Sequence, residues 1–114
     1  MKENIIVDKS YHFAVAMTDV CKKLRNKNEF HLASQLLRSS TSIGANVKEA
    51  TAAQTKRDFI AKMSIASKEA REANYWINII KDSRILEIDF SNHIQESEEI
   101  VKILTAILKT AKTK

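Results

Sequence analysis

The 114-residue chain has no proline, a single glycine (Gly44) and no asparagine-glycine or aspartate-glycine pair. Strands, hairpins and tight loops depend on these residues, so their absence argues against β and mixed folds. Apolar residues make up 44% of the chain and charged residues 29%, which is typical of a soluble globular protein with one core. We therefore predict a single all-α domain spanning residues 1–114.

Cysteine and long apolar runs are also scarce. The one cysteine, Cys21, has no partner for an internal disulfide, and its helical spacing from Met17 and Leu24 indicates a core residue rather than a nucleophile. No apolar run approaches the roughly 20 residues of a membrane span, and no basic-then-apolar leader opens the chain. These absences predict a cytoplasmic protein with no membrane partner.

Four segments of helical periodicity are present instead, separated by short polar breaks. Their apolar residues recur at steps of three, four or seven, which is the spacing of an amphipathic helix. Thr55 followed by Asp58 has the form of a capping box, and Gly44 indicates a close backbone approach or a mild bend. The segments predict an up-and-down antiparallel four-helix bundle. Its helices are expected at residues 5–26, 30–53, 56–83 and 90–110.

The second predicted helix carries a polar stripe at the edge of its apolar stripe. Burying such groups without partners costs roughly 1–3 kcal/mol each, so we expect hydrogen bonds to a neighbouring helix or subunit. The third helix offers Ser67, Glu69 and Glu72 as partners. A structural polar network is the favoured interpretation, and a binding site is the alternative. The stripe consists of Gln35, Arg38, Ser42, Asn46 and Glu49.

The second half of the fourth helix has more apolar surface than one core contact needs. Its apolar residues cover an arc of about 160°, against the roughly 100° that one contact requires. We expect the surplus to be buried between subunits of a homo-oligomer, with a broad core face inside one bundle as the alternative. Trp76 is a second candidate contact residue. The arc consists of Ile100, Val101, Ile103, Leu104, Ile107, Leu108 and Ala111.

The formal net charge of +5 is compatible with binding a polyanion. The first and third helices hold the surplus, whereas residues 85–114 carry more acids than bases. We expect the end of the first helix and the start of the third to lie on the same side and to form a basic patch. A merely solvated surface is the alternative. The candidate nucleic-acid contacts are Lys22, Lys23, Arg25, Lys27, Lys56, Arg57 and Lys62.

No catalytic or metal-binding constellation is evident. A metal site in a four-helix bundle needs Glu-x-x-His pairs, and the sequence has none; His12, His31 and His93 are scattered. A single glycine excludes the known phosphate-binding loops, and no nucleophile elbow marks a serine. The sequence therefore predicts a protein that is not an enzyme and has no cofactor or metal.

Three stretches carry a resemblance to a known family: residues 35–49 (QLLRSSTSIGANVKE), Asp58-Phe59, and residues 66–72 (ASKEARE). Together they resemble the bacterial four-helix bundle proteins associated with intervening sequences of 23S ribosomal RNA genes, over nearly the whole chain. One departure is that Ala50 follows Glu49, where the family usually has glycine.

The resemblance implies an up-and-down bundle that assembles as a homopentameric ring. Arg38, Ser42, Asn46 and Glu49 correspond to recurrent polar positions of that family. The family is also similar in fold to the accessory protein of diversity-generating retroelements, a basic pentamer that engages RNA and a reverse transcriptase. A shared architecture does not by itself transfer an activity.

Two functional hypotheses of different classes follow. The first is an oligomeric scaffold that binds structured nucleic acid, RNA rather than DNA, through lysines and arginines at the bundle ends and along the third helix. The second is a protein-interaction ring whose partner is another protein and whose basic residues only confer solubility.

Overall fold

The computed structural model describes residues 2–113, with side chains from Asn4 onward, and all regular secondary structure in this range is helical. The all-α prediction and the presence of four helices are confirmed, and the helix ends coincide with the expected ones or differ from them by at most three residues. The helices are α1 (Lys2–Asn26), α2 (Phe30–Thr51), α3 (Lys56–Ser83) and α4 (Ser91–Thr113).

Each helix packs against two neighbours, in the cyclic order α1, α2, α3, α4 and back to α1. Ser10 of α1 lies against Gly44 of α2, and the Cys21 thiol contacts the carbonyl oxygen of Ala33, so residue numbers rise along α1 as they fall along α2. The same antiparallel relation holds for each neighbouring pair. The bundle is elongated, measuring 46 × 21 × 18 Å.

Local hydrogen bonds and backbone conformation set the helix boundaries. The Thr55 hydroxyl accepts a hydrogen bond from the Asp58 backbone N–H at 3.0 Å, which confirms the N-cap predicted for α3. Asp89 accepts one from the Ser91 N–H at 2.9 Å at the start of α4. Asn28 and Arg84 adopt left-handed φ values of 63° and 57°, so the chain leaves the helical conformation after α1 and α3.

The core contains large aliphatic side chains from all four helices and small residues at the close contacts. Cys21 is 3% exposed, and burial raises the pKa of its thiol to about 11, which confirms the core interpretation. Three fully buried alanines of α3 allow neighbouring helices to approach closely. They are Ala66, Ala70 and Ala73.

Gly44 lies where the backbones of α1 and α2 come close together. A Cβ atom at this position would be 3.4 Å from the Ser10 hydroxyl, which itself donates a hydrogen bond to the Ile6 carbonyl. The close backbone approach predicted from the glycine is confirmed, and α2 continues through it as one helix. Among the helices of residues 2–113, none is sufficiently long and apolar to cross a membrane.

Candidate functional site

Arg38 is the centre of a polar cluster between α2 and α3. Its Nη1 atom lies 3.1 and 3.2 Å from the two carboxylate oxygens of Glu69, and its Nη2 atom bonds the carboxylate of Glu72. The amide oxygen of Gln35 accepts a further hydrogen bond at 3.4 Å. The Glu69 side chain is only 11% exposed, against 46% for Arg38, so the guanidinium compensates a carboxylate that is mostly removed from water.

Trp76 extends this cluster along α3. Its indole N–H donates to Glu72 Oε2 at 3.0 Å, and its ring meets the His31 ring edge to face at a centroid distance of 6.3 Å. Glu72 therefore holds both Arg38 and Trp76. We call Gln35, Arg38, Glu69, Glu72 and Trp76 the Arg38 cluster. In this cluster one guanidinium is shared by two carboxylates, which is the kind of contact that the favoured interpretation of a structural network expects. That interpretation stays a prediction.

The remaining predicted members of the polar stripe lie outside the Arg38 cluster. The Asn46 amide donates to the Ser42 carbonyl of its own helix at 2.9 Å, and Glu49 pairs with Lys62 at 3.1 Å. Ser67 is buried in α3 but is not part of these contacts. The pairs Arg38–Glu69 and Glu49–Lys62 place Ser42 and Asn46 beside residues 62–67 of α3, a stretch that includes Ser64 and Ser67. The side-chain hydrogen bonds of the described residues do not join them across the two helices.

The two predicted basic clusters lie at opposite ends of the bundle, so the expectation that they share one side is wrong. Helices α1 and α3 run parallel to each other, which places the C-terminus of α1 far from the N-terminus of α3. One end therefore carries Lys22, Lys23, Arg25 and Lys27, and the other carries Lys56 and Arg57.

Acidic neighbours compensate several of these predicted contacts. Lys23 pairs with Asp19 at 3.1 Å, and Lys62 pairs with Glu49. Lys23 and Lys27 also line a surface groove together with Glu87 from the connection between α3 and α4. The α1 end is therefore a mixed surface rather than a uniformly basic one.

A second groove, between α3 and α4, was missed in the sequence. Arg71, Asn74, Glu98, Val101 and Lys102 line it. The Asn74 amide donates to the Ser97 hydroxyl at 2.8 Å, and the Asn78 amide donates to Asn74 Oδ1 at 3.1 Å. The ion pairs formed by the described side chains do not include Arg71 or Lys102. Their burial classes leave both side chains exposed to solvent.

The acidic residues of α4 explain why the charge sum of this segment did not predict a basic groove. Residues 85–114 carry more acids than bases, but Glu96 and Glu99 face α1, where Lys9 Nζ lies 3.6 and 2.8 Å from their carboxylates. The Lys9 hydrogen bond lowers the pKa of Glu99, and the same bond raises the pKa of Lys9 against the opposing effect of burial. The net charge of a whole segment therefore does not reveal that one face of its helix carries a cation. Helical spacing of the individual charges is the signal that would have found it.

The predicted apolar arc of α4 is mostly covered within one bundle. Ile100, Leu104 and Ile107 are buried, and the other arc residues are half-buried. The burial of the remaining apolar surface between subunits stays a prediction. Exposed large apolar side chains lie on the other three helices. They are Ile5, Tyr11, Val15, Phe30, Leu37, Ile65 and Tyr75.

Several of these exposed residues border the groove between α1 and α2. Tyr11 is 64% exposed and lines this groove with small residues, among them Ala14, Gly44 and Ala45. Val15 lies one helical turn after Tyr11 on α1 and is 51% exposed. Leu37 lies one turn before Thr41, a groove residue of α2, and is 36% exposed. This apolar α1/α2 face is opposite the α3/α4 groove, because the four helices pack in cyclic order.

The histidines do not converge. His12 and His93 line a groove between α1 and α4 with Glu96, whereas His31 lies beside Trp76 at α2 and α3. Among the described side chains, those of residues 4–113, no group of three or more histidine, cysteine or acidic side chains is placed to hold a metal ion.

Comparisons with known proteins agree with the architecture. The family model described as 23S rRNA-intervening sequence protein matches residues 2–106. A crystal structure of a protein of unknown function from the S23 ribosomal protein family of Bacteroides thetaiotaomicron is 42% identical, with a TM-score of 0.89. The match covers 96% of this chain and 99% of that one. The search of curated proteins gave no significant match.

Proposed function

Because this chain belongs to the 23S rRNA-intervening sequence protein family, we propose that it is a non-enzymatic oligomeric scaffold that binds structured nucleic acid, with RNA as the preferred ligand, in the bacterial cytoplasm. One observation carries the proposal. The ion pairs of the described residues engage more acidic than basic side chains, because Arg38 and Lys9 each pair with two carboxylates. The cations left outside these pairs outnumber the remaining acids, so the positive charge is available at the surface.

Phosphate contacts suit such a surface better than base contacts do. Lysine and arginine side chains on rigid helices can follow a sugar-phosphate backbone, and contacts of this kind position a protein without reading sequence. Double-stranded RNA is recognised largely through its shape and backbone. The expected ligand is therefore a folded RNA rather than a particular single-stranded sequence.

Self-association through the apolar α1/α2 face would complete the scaffold. This face exposes Tyr11, Val15 and Leu37, and the small residues around Gly44 allow a second helix pair to come near. The resemblance implies a pentameric ring. Leu37→Glu is expected to disperse the oligomer, because it places a charge in the proposed contact. Sedimentation velocity of both proteins measures the subunit number, and an unchanged assembly would contradict this placement of the interface.

The nucleic-acid proposal is tested by titrating the protein against a structured RNA and a duplex DNA of equal length. Between 50 and 200 mM salt, a protein that makes 6–10 phosphate contacts loses about 10³–10⁵ in affinity. We expect a steep salt dependence and tighter binding to the RNA. Weak binding to both polymers at low salt would contradict the proposal.

A protein-interaction ring is the second candidate function. The observation that favours it is the exposed aromatic surface outside the α1/α2 face, where Phe30 is 56% and Tyr75 is 59% exposed. Aromatic side chains are enriched in protein interfaces. A protein partner that remains bound to the purified assembly after nuclease treatment, together with weak nucleic-acid binding, would support this candidate instead.

A further inference from the structure

We propose that the α3/α4 groove is the phosphate-binding site of this protein, with Arg71 and Lys102 as the residues that contact the nucleic-acid backbone. This inference rests on the proposed function and adds a location to it. The sequence had predicted contacts at the bundle ends and along the third helix; this inference keeps α3 and moves the other contacts from the end of α1 to α4.

Acidic and basic side chains are separated around α3. Glu69 and Glu72 point towards α2, where Arg38 compensates them. Arg71 lies two positions after Glu69, which is about 200° around the helix, and it lines the groove on the α4 side. The acids and bases of this stretch therefore occupy different faces, and the attraction of Arg71 for an anion is not cancelled by its nearest acidic neighbours in the sequence.

Acidic and basic side chains are separated in the same way on α4. Glu96 and Glu99 face α1 and bond Lys9, whereas Lys102 lines the α3/α4 groove. The charge of Lys102 makes a small contribution to the lowered pKa of Glu99, but the ion pairs of the described residues do not include one between these two side chains. Both helices thus direct an exposed cation to the same groove from opposite sides.

The floor of the groove supplies a neutral hydrogen-bond donor. An asparagine amide has two N–H groups, and Asn74 uses one of them for the Ser97 hydroxyl. Its oxygen is fixed by the Asn78 amide at 3.1 Å, which sets the orientation of the amide. The second N–H of Asn74 is therefore available beside Arg71. A guanidinium, an ammonium and an oriented amide together match the oxygen atoms of a phosphodiester.

Further exposed cations lie on the same two helices and could extend the contact with a nucleic-acid backbone. At 1.5 Å per residue, the cations from Lys102 to Lys112 cover roughly 15 Å of α4. One strand of duplex DNA carries a charge about every 3.4 Å along its axis, and at that spacing this length corresponds to about four phosphates. The additional residues are Lys56, Lys68, Lys109 and Lys112, all exposed.

Glu98 is the acidic side chain in the lining of this groove. A carboxylate beside a bound phosphate repels it, so Glu98 is expected to weaken binding and to limit the affinity of the site. Removing its charge provides a gain-of-affinity test that does not depend on a disruptive substitution.

The experiment compares two charge-reversed proteins by fluorescence anisotropy with a labelled RNA hairpin. Arg71→Glu/Lys102→Glu changes the groove, and Lys22→Glu/Lys27→Glu makes an equal change of net charge at the α1 end. We expect the groove variant to lose about 10–100-fold in affinity and the control to lose less than about threefold. Glu98→Gln is expected to bind about two- to fivefold more tightly. Circular dichroism and sedimentation verify the fold and assembly of each variant.

The outcomes separate the two proposals. Equal losses in the two charge-reversed proteins, or a larger loss in the α1-end control, would overturn the groove assignment while leaving RNA binding intact. Absence of binding by the unmodified protein at low salt would overturn the proposed function itself. Should the charge-reversed groove variant fail to fold, Glu98→Gln decides the question, since unchanged or weaker binding contradicts the assignment.

Discussion

The two sides of α3 use charge in opposite ways. On the α2 side, Glu69 and Glu72 share one arginine, and the tryptophan Trp76 closes the arrangement. On the α4 side, Arg71 and Lys102 line a groove with a neutral asparagine floor and a single acid, Glu98. On the α2 side the two carboxylates bind a guanidinium of the same protein. On the α4 side the ion pairs of the described residues do not include the two cations.

This difference shows that a charged helix can serve packing and binding at the same time. The half-buried carboxylates of the Arg38 cluster require a partner inside the protein, because an unpaired charge removed from water is strongly destabilising. Exposed cations require none, since water solvates them. Net charge alone does not distinguish the two cases; the position of each charge around the helix does.

The largest stability difference is expected between the two arginines of this comparison. Arg38→Ala leaves Glu69 mostly buried without its guanidinium and should lower the free energy of unfolding by about 1–3 kcal/mol. Arg71→Ala should change it by less than about 0.5 kcal/mol. Urea denaturation at one fixed protein concentration measures both, because an oligomer has concentration-dependent stability. Similar losses of unfolding free energy in the two variants would contradict the distinction between a paired arginine and an exposed one.

A smaller effect is expected at the floor of the groove. Asn74→Ala removes the hydrogen bond to Ser97 and the partner of Asn78, and should cost about 1 kcal/mol. Thr105→Ala is a suitable control, since the Thr105 hydroxyl bonds only the Val101 carbonyl of its own helix in the described contacts. If both substitutions are neutral, the amide network does not contribute to the α3/α4 packing.

The smallest effect on stability is expected for the ion pair between Lys9 of α1 and Glu99 of α4. The folded pKa of Glu99 is lowered from 4.5, so its stabilising contribution is present above that pH and disappears as pH falls through the lowered value. The folded pKa of Lys9 is raised from 10.5, so its contribution is present below pH 10.5 and disappears as pH rises through the raised value. The stability difference between the unmodified protein and Glu99→Gln should therefore be larger at pH 7 than at pH 3. An equal difference at both pH values would show that the pair contributes nothing.

The fold was accessible from the sequence because it depends on local patterns. Apolar spacing, the absence of proline and the Thr55 cap each act within one or two turns, and they predicted four helices with nearly correct ends. The pairing of Arg38 with Glu69 was also foreseeable, since both residues border apolar stripes of adjacent helices.

What the sequence did not predict depends on the relative alignment of helices. Helices α1 and α3 are parallel, which separates Lys27 from Lys56. In the described contacts the Asn46 amide donates to the Ser42 carbonyl of its own helix rather than to α3. The groove at Arg71 and Lys102 depends on the rotation of two helices, because neither helix has a basic cluster in its sequence at that point. Such long-range geometry is not present in the spacing of any single segment.

The most direct test of the charge separation on α3 uses two single substitutions that remove the same charge. The slope of log affinity for the RNA hairpin against log salt concentration is measured for the unmodified protein, Arg71→Gln and Arg38→Gln. We expect Arg71→Gln to reduce the slope by about 0.7–0.9, the value for one phosphate contact, and Arg38→Gln to leave it unchanged. An unchanged slope in Arg71→Gln, or an equal reduction in both variants, would contradict the account.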